Sequence, residues 1–383
     1  MKQTRRLISS IQKEREMANI QGSSSPMIGG DGSHSYAKNS TFQKAVLDAA
    51  QGWMNEAIND KLDFTVLDFD SSNPTFRIAD LGCSTGPNTF FAVKNIIEAV
   101  EKKYQTHFQK PPLIEFQVFF NDFNGNDFNI LFKTLPSYQN YFAAGIPGSF
   151  YTRLFPKSTI HFAHSSYSLH WLSKIPPEIV DSNSPAWNKG SIQCTGYSKE
   201  VANAYLGQYK KDVNMFLNAR AEEIVGGGLI VILIGGRPDG IFMSQTSTGV
   251  VFDLLGASLA EMANLGEISD EKMNSFNLPV YYATPKEIKE IIEENGHFSI
   301  EKMEQVTHPM VMAMKMKNMS ILEIVVSSLR AIFEKIFTEH FGNEEIVNKL
   351  FQRFAIKLQE IYPGFHKIIN HCIEHFIFLE RKI

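Results

Sequence analysis

Short apolar runs alternate with longer amphipathic stretches through much of the chain. Phe76 to Leu81 is an apolar run ending in a glycine-containing turn, and a helix-compatible segment, Phe90 to Tyr104, follows. Residues 114–120 alternate and then become wholly apolar, which predicts a buried strand. Asp127 to Thr134 is the next helical piece, and Ser158 to Ala163 another short strand. Lys199 to Val225 reads as a long helix broken by glycines at 226–228, with the strand Leu229 to Ile234 directly after. This alternation predicts an α/β fold, a mainly parallel sheet with helices on both faces.

Other elements frame that core. Asn39 or Ser40 caps a helix whose apolar positions (Val46, Ala49, Trp53, Ala57) recur at three- and four-residue steps. Thr284-Pro285 with Glu287 signals a helix start, and Gly296 suits its left-handed exit. Phe376 to Leu379 reads as a final edge strand. Two mostly helical stretches, about 243–278 and 318–360, are crowded with Met and Phe. Individually most of these residues read as plain helical core; collectively they predict an α-helical cap able to form a lid over an apolar ligand. Residues 1–26 read as a disordered leader, 20–35 as a Gly/Ser-rich arm, and 27–383 as one domain with its cap.

Composition narrows the function. A net charge of −4 gives no basic footprint for nucleic acid. No apolar run approaches the ~18 residues of a membrane span. Cys83, Cys194 and Cys372 are far apart, so neither a disulfide framework nor a zinc site is indicated. The basic, serine-containing first residues are interrupted by Glu14 and Glu16 and lead into no apolar signal core; a transit peptide is the alternative to a disordered leader, and the cytosol is the compartment expected.

The turn after Leu81 carries the chemistry. Gly82 and Gly86 permit a tight turn and close backbone approach. The turn lacks the Gly-Lys-Ser/Thr of a P-loop and the three glycines of a dinucleotide fingerprint. A nucleoside cofactor without a pyrophosphate remains, and S-adenosylmethionine fits. Asp122 lies at the end of the next strand, where a carboxylate can accept from both ribose hydroxyls; alternatively it caps the following helix.

Several segments, in order, resemble one family. They are 27–36 (MIGGDGSHSY), Asn39-Ser40 with Gln43, 80–88 (DLGCSTGPN), Asn121-Asp122 with Asn126-Asp127-Phe128, 147–156 (PGSFYTRLFP), 164–171 (HSSYSLHW) and Asn188-Lys189-Gly190. Together they resemble the plant carboxyl and N-methyltransferases named for salicylic acid, benzoic acid and theobromine synthase (SABATH), from about residue 27 onward. The stretches 142–156, 161–174 and 275–279 are most similar to the loganic acid methyltransferases within it.

The resemblance implies a Rossmann-like methyltransferase core, S-adenosylmethionine as methyl donor and a homodimer. It implies donor contacts from Tyr36, Ser40, Asp80, Gly82, Cys83, Asn88, Asp122, Phe123, Ser149 and Phe150. Gln43 and Trp171 would hold the acceptor's carboxylate in a pocket shared with Tyr167, His170, Val251, Phe252 and Leu329. Some relatives hold magnesium at positions matching Asn188, Asn274, Phe276 and Asn277. Asn274 replaces the family's aspartate there, which removes the one anionic ligand and argues against a functional metal. Ile28 replaces a lysine of some salicylate enzymes and disfavours salicylate. The apolar Val251–Phe252 wall leaves a sugar's hydroxyls unpaired at ~1–3 kcal/mol each. The acceptor this implies is a small, largely apolar carboxylic acid, whether iridoid such as loganic acid, benzoate-like or farnesoate-like. The rival is N-methylation of a xanthine, which requires polar groups to read a purine's edges.

Overall fold

A computed structural model describes residues 27–383 apart from 31, 68, 70–74, 110–113, 138, 197, 308–320 and 366–372. The leader, the first part of the arm and Cys372 lie outside the described residues.

Seven strands form one sheet: β1 (Thr75–Leu81), β2 (Glu115–Asp122), β3 (Phe142–Pro147), β4 (Ile160–Ser166), β5 (Ile224–Gly236), β6 (Phe298–Thr307) and β7 (Ile373–Arg381). Their order is β3-β2-β1-β4-β5-β7-β6. The first five pair in parallel, and β7 runs antiparallel between β5 and β6. The order reverses between β1 and β4, the switch point at which such sheets open a crevice beyond their carboxyl ends.

The centre of β5 shows why the sheet is covered on both faces. Leu229, Val231 and Leu233 enter one apolar cluster, while Ile230, Ile232 and Ile234 enter another. The first cluster packs helices α1 (Thr41–Lys61) and α2 (Pro87–Phe108) through Val46, Ile58, Val93 and Ile97; the second packs α4 (Lys199–Glu223) and α7 (Pro285–Asn295) through Val213, Phe216, Ile288 and Ile291. A continuous run of apolar residues is what a strand buried on both faces requires. A short helix, α3 (Phe128–Lys133), follows β2 with Asp127 as its cap, the carboxylate accepting from Ile130 N. Asp122 is therefore not the capping residue.

A third cluster lies over the rim. Helices α5 (Ser247–Asn264), α6 (Asp270–Ser275), α8 (Ile321–Phe341) and α9 (Glu344–Phe365) contribute Phe252, Leu255, Met262, Met273, Phe333, Phe337 and Phe351 to it, together with Phe276 and, from the rim, Trp171.

The structure corrects several expectations. β7 is internal, not an edge. The helix before β5 ends at Glu223, and the strand starts at Ile224 with the three glycines inside it. There the register with β4 steps from Ile160↔Ile224 to Phe162↔Leu229, and Gly227 takes a φ of 75°. Strand β4 begins at Ile160 because Ser158, with φ 53°, belongs to the turn before it. The capping box at Thr284 and Glu287 and the left-handed Gly296 stand as predicted.

Candidate active site

The rim at the switch point carries two adjoining cavities. The smaller, with an empty volume of about 370 Å³, lies against the glycine turn and is lined by Tyr36, Gln43, Asp80, Gly82, Cys83 and Asn88, among others. Gly82 has φ 87°, and a Cβ there would meet Ser168 Oγ at 1.9 Å. Only glycine fits. Gly86 is different: it is an extended N-cap with φ −92°, and an added Cβ would meet nothing closer than Ala37 Cα at 3.5 Å. Both glycines permit the turn, but only at Gly82 is the lack of a Cβ sterically required.

Asp80 is locked within this cavity. It accepts from the Thr89 hydroxyl and lies 2.7 Å from His164 Nδ1, while the Nε2 of that imidazole is buried without a protein partner. The Asn88 amide donates to the Ser40 carbonyl at 3.0 Å, which ties the helix after the turn to the start of α1. Ser40 and Tyr36 both lie near Gly86.

Asp122 sits at the end of β2. Its two carboxylate oxygens accept from Ser84 N and Phe123 N, each at 2.7 Å. Burial pushes its carboxyl up to about 6, against the pull of those two N–H groups. Phe123 packs on Phe150 with ring centroids 6.5 Å apart, and Phe150 approaches the position a Gly82 Cβ would occupy. Ser149 follows Gly148, whose N–H donates to the Asp122 carbonyl at 2.9 Å. Asp122, Phe123, Ser149 and Phe150 thus stand beside the small cavity without lining it. Burial, then the charges of Asp122 and Asp80, raise the Cys83 thiol well above its ordinary range, so it stays protonated and inert.

The larger cavity, about 990 Å³ including its open mouth, is lined by Gln43, Tyr167, His170, Trp171, Val251, Phe252 and Leu329. Every acceptor-side residue implied by the resemblance is therefore in one place. Tyr36 and Gln43 line both cavities. The Gln43 Oε1 is buried and has no partner in the protein. Trp171 is fixed by the Tyr151 hydroxyl, which donates to its carbonyl, and by packing on Phe333 at 5.6 Å. Burial lowers His170 to about 4, so its ring is neutral at physiological pH. It stacks on Tyr282 with centroids 5.5 Å apart.

The structure adds wall residues that sequence reasoning did not assign to the site: Phe42, Ser247, Thr248, Tyr282, Phe333 and Glu374. Phe42 was discoverable, because it neighbours Gln43 on the same helix. Glu374 was not, because nothing in the pattern of β7 places its side chain at the rim.

The proposed magnesium positions form a different arrangement. Asn188 Nδ2 donates to Asn277 Oδ1 at 2.7 Å, and Asn274 Oδ1 accepts from Gly190 N at 3.0 Å. Phe276 stacks on Phe337 at 4.9 Å. These amide oxygens already serve protein donors and include no anion, which does not fit a hard divalent cation. Among the described residues no three His, Cys, Asp or Glu side chains gather as a metal site.

The sheet order, the glycine turn and a buried carboxylate at the end of the second strand are the features expected of a nucleoside-binding α/β enzyme. The sequence model of the S-adenosylmethionine-dependent carboxyl methyltransferases matches residues 22–382, and the chain belongs to that family. The match begins slightly earlier than the motifs suggested. The loganic acid O-methyltransferase of Catharanthus roseus is 51% identical over 360 residues, covering 93% of this chain and 94% of that protein. The farnesoic acid carboxyl-O-methyltransferase of Arabidopsis thaliana is 51% identical over 282 residues, covering 74% and 79%. A solved structure of a loganic acid methyltransferase with S-adenosylhomocysteine superposes with a TM-score of 0.88 at 50% identity, covering 94% of this chain and 99% of that one. This chain is accordingly an S-adenosylmethionine-dependent carboxyl methyltransferase. No helix among the described residues is long and apolar enough to cross a membrane.

Proposed function

We propose that the acceptor is a small, largely apolar carboxylic acid, held by Gln43 and Trp171 and released as its methyl ester. The observation that carries this reading is the double position of Gln43, which lines the acceptor cavity with Trp171 and also borders the cavity at the glycine turn. The donor supplies a methyl group on a sulfonium, already activated by its positive charge. The protein's residues then have to orient an oxygen and exclude water, a contribution of proximity. A carboxylate with a pKa of about 4 is ionised at neutral pH and needs no general base. The neutral His170 agrees, since it adds no proton acceptor of matched pKa. Gln43 and the Trp171 indole are neutral donors, which orient a carboxylate without pairing away its nucleophilic lone pair.

On the donor side, Asp122 takes the ribose hydroxyls, while Tyr36, Ser40, Asp80, Gly82, Cys83, Asn88, Phe123, Ser149 and Phe150 enclose the rest. On the acceptor side, Val251, Phe252, Leu329 and Phe333 give a wall that rewards apolar rings and chains. An iridoid such as loganate, a benzoate-like acid and farnesoate all meet that description. The subunit is read as one domain with its helical cap, active in the cytosol as a homodimer in keeping with its family likeness. Light scattering and a fluorescent fusion check the last two points.

The test is transfer of labelled methyl to a panel of acids and xanthines, with products identified by mass spectrometry. Base-labile esters of one or more acids are expected. Turnover of xanthines alone overturns the reading.

A further inference from the structure

One side chain in the acceptor cavity is out of keeping with its walls. Glu374 is the only carboxyl among the described residues that line it, and the residue is 3% exposed. A buried carboxylate beside the place where an anionic acceptor must sit would oppose binding. It is not a surface acid that happens to point inward, because the sheet makes room for it. Glu374 pairs with Gly235 of β5 and Val306 of β6. A Cβ at Gly235 would lie 2.9 Å from the Tyr282 ring and 3.4 Å from Glu374 Oε2. The missing side chain therefore leaves a niche in which the Glu374 carboxyl and the Tyr282 ring lie together. Tyr282 in turn stacks on His170 and meets Phe252 at 6.0 Å, so the niche opens among the aromatic rings that wall the cavity. On the other side Glu374 is hydrogen-bonded with Tyr167, itself a lining residue.

We propose that Glu374 is a specificity-determining residue that reads a hydroxyl group on the acceptor, remote from the carboxylate being methylated. This inference rests on the carboxyl-methylation reading above and refines it: the acceptor is an apolar acid with one alcohol. An un-ionised carboxyl presents a donor O–H and an acceptor C=O side by side, the complement of an alcohol, which also donates once and accepts. Burial raises the Glu374 carboxyl to about 8, which keeps it in that form at neutral pH. A hydroxyl-bearing acid adds a hydrogen bond to the carboxyl beyond the one it shares with Tyr167, a bond its deoxy counterpart cannot make. Glu374 comes from β7, whereas the wall residues Val251, Phe252, Leu329 and Phe333 come from α5 and α8. The carboxyl thus enters the cavity from the sheet side, facing a cap side in which the hydroxyls of Ser247, Thr248 and Ser328 are interspersed with apolar side chains.

The test compares wild type, Glu374→Leu and Glu374→Gln on matched pairs of acids differing by one hydroxyl. The pairs are cinnamate with para-hydroxycinnamate, farnesoate with omega-hydroxyfarnesoate, and deoxyloganate with loganate. Wild type is expected to prefer the hydroxylated member of at least one pair. On that member Glu374→Leu should lower kcat/KM about tenfold or more, mainly through KM, while changing the deoxy member by less than about twofold. Glu374→Gln, which keeps a neutral donor and acceptor, should retain most of the preference. An equal fall on both members of the pair would make Glu374 a scaffold for Tyr167 only and overturn the proposal, as would the absence of any hydroxyl preference in wild type. Failure of wild type to methylate any acid, with S-adenosylhomocysteine still bound in calorimetry, would instead remove the underlying carboxyl-methylation reading.

Discussion

Gln43 and Trp171 line one cavity although they come from distant segments, Gln43 from the first turn of α1 and Trp171 from the loop after β4. Of the two, only Gln43 also reaches the glycine-turn cavity. The amide is therefore placed at the junction across which a methyl group would pass. Trp171 lines the larger cavity only and is anchored by Tyr151 and Phe333. This division assigns distinct kinetic effects to the donor side and the acceptor side.

Donor affinity should depend on pH through Asp122. Its carboxyl titrates at about 6 in the free protein, raised by burial. In the proposed role, the ionised form is the one that accepts from ribose hydroxyls. Binding of S-adenosylhomocysteine should therefore weaken as pH falls through about 6 and be insensitive to pH above it. Calorimetry at a series of pH values checks this. Asp122→Asn should bind more weakly, by about 1.5–3 kcal/mol at neutral pH, and lose the pH dependence. A wild-type affinity that is flat across that interval would contradict the role.

Gly82 and Gly86 should respond differently to the same substitution. Gly82→Ala adds a Cβ to a backbone at φ 87° and drives it onto Ser168 Oγ, so it should abolish measurable donor binding or unfold the turn. Gly86→Ala meets only ordinary contacts and should cost less than about 1 kcal/mol by denaturant titration, near the usual cost at an N-cap. Equal effects would show that the turn's conformation was misassigned.

A buried ion pair holds the loop that carries Ser149 and Phe150. Arg220 and Glu223, 1% and 0% exposed at their side chains, face each other on α4. Arg220 donates to the Phe150 carbonyl at 2.8 Å and to that of Thr152 at 3.1 Å, while Glu223 accepts from Leu154 N and from Phe155 N at 2.9 Å. Arg220→Met strands the Glu223 charge and leaves two carbonyls unserved. It should destabilise the fold by about 3–5 kcal/mol in denaturant melts. A loss below about 1 kcal/mol would mean that the loop is held by other contacts.

Much of this was legible in the sequence because the signals were local. The run from Phe76 to Leu81 followed by Gly82, and the Thr284–Glu287 box, each determine their own geometry within a few residues. Placement across the sheet was less accessible. The charged pair Glu380-Arg381 after Phe376 to Leu379 suggests an edge strand, yet the unbroken apolar run itself is the mark of a strand covered on both faces, and β7 is internal. β6 was not read at all: its pairing with β7 shifts register between Ile300 and Lys302, which breaks the two-residue period that would reveal it. Three glycines in a row suggested a break where the strand in fact bulges. The cavity-lining side chains that lie on motifs, Gln43, Tyr167 and Trp171, could be found in advance. Glu374 and Tyr282 enter the cavity through tertiary placement that no local pattern encodes.

The most direct measurement is the pair of constants that separates the two cavities: acceptor KM and S-adenosylhomocysteine Kd for Trp171→Phe against wild type. Removing the indole N–H while keeping an aromatic ring should raise the KM of the acid about tenfold and leave the Kd within about twofold. An unchanged KM, or a Kd that rises as much as the KM, would contradict a carboxylate held by Gln43 and Trp171 beside the methyl donor.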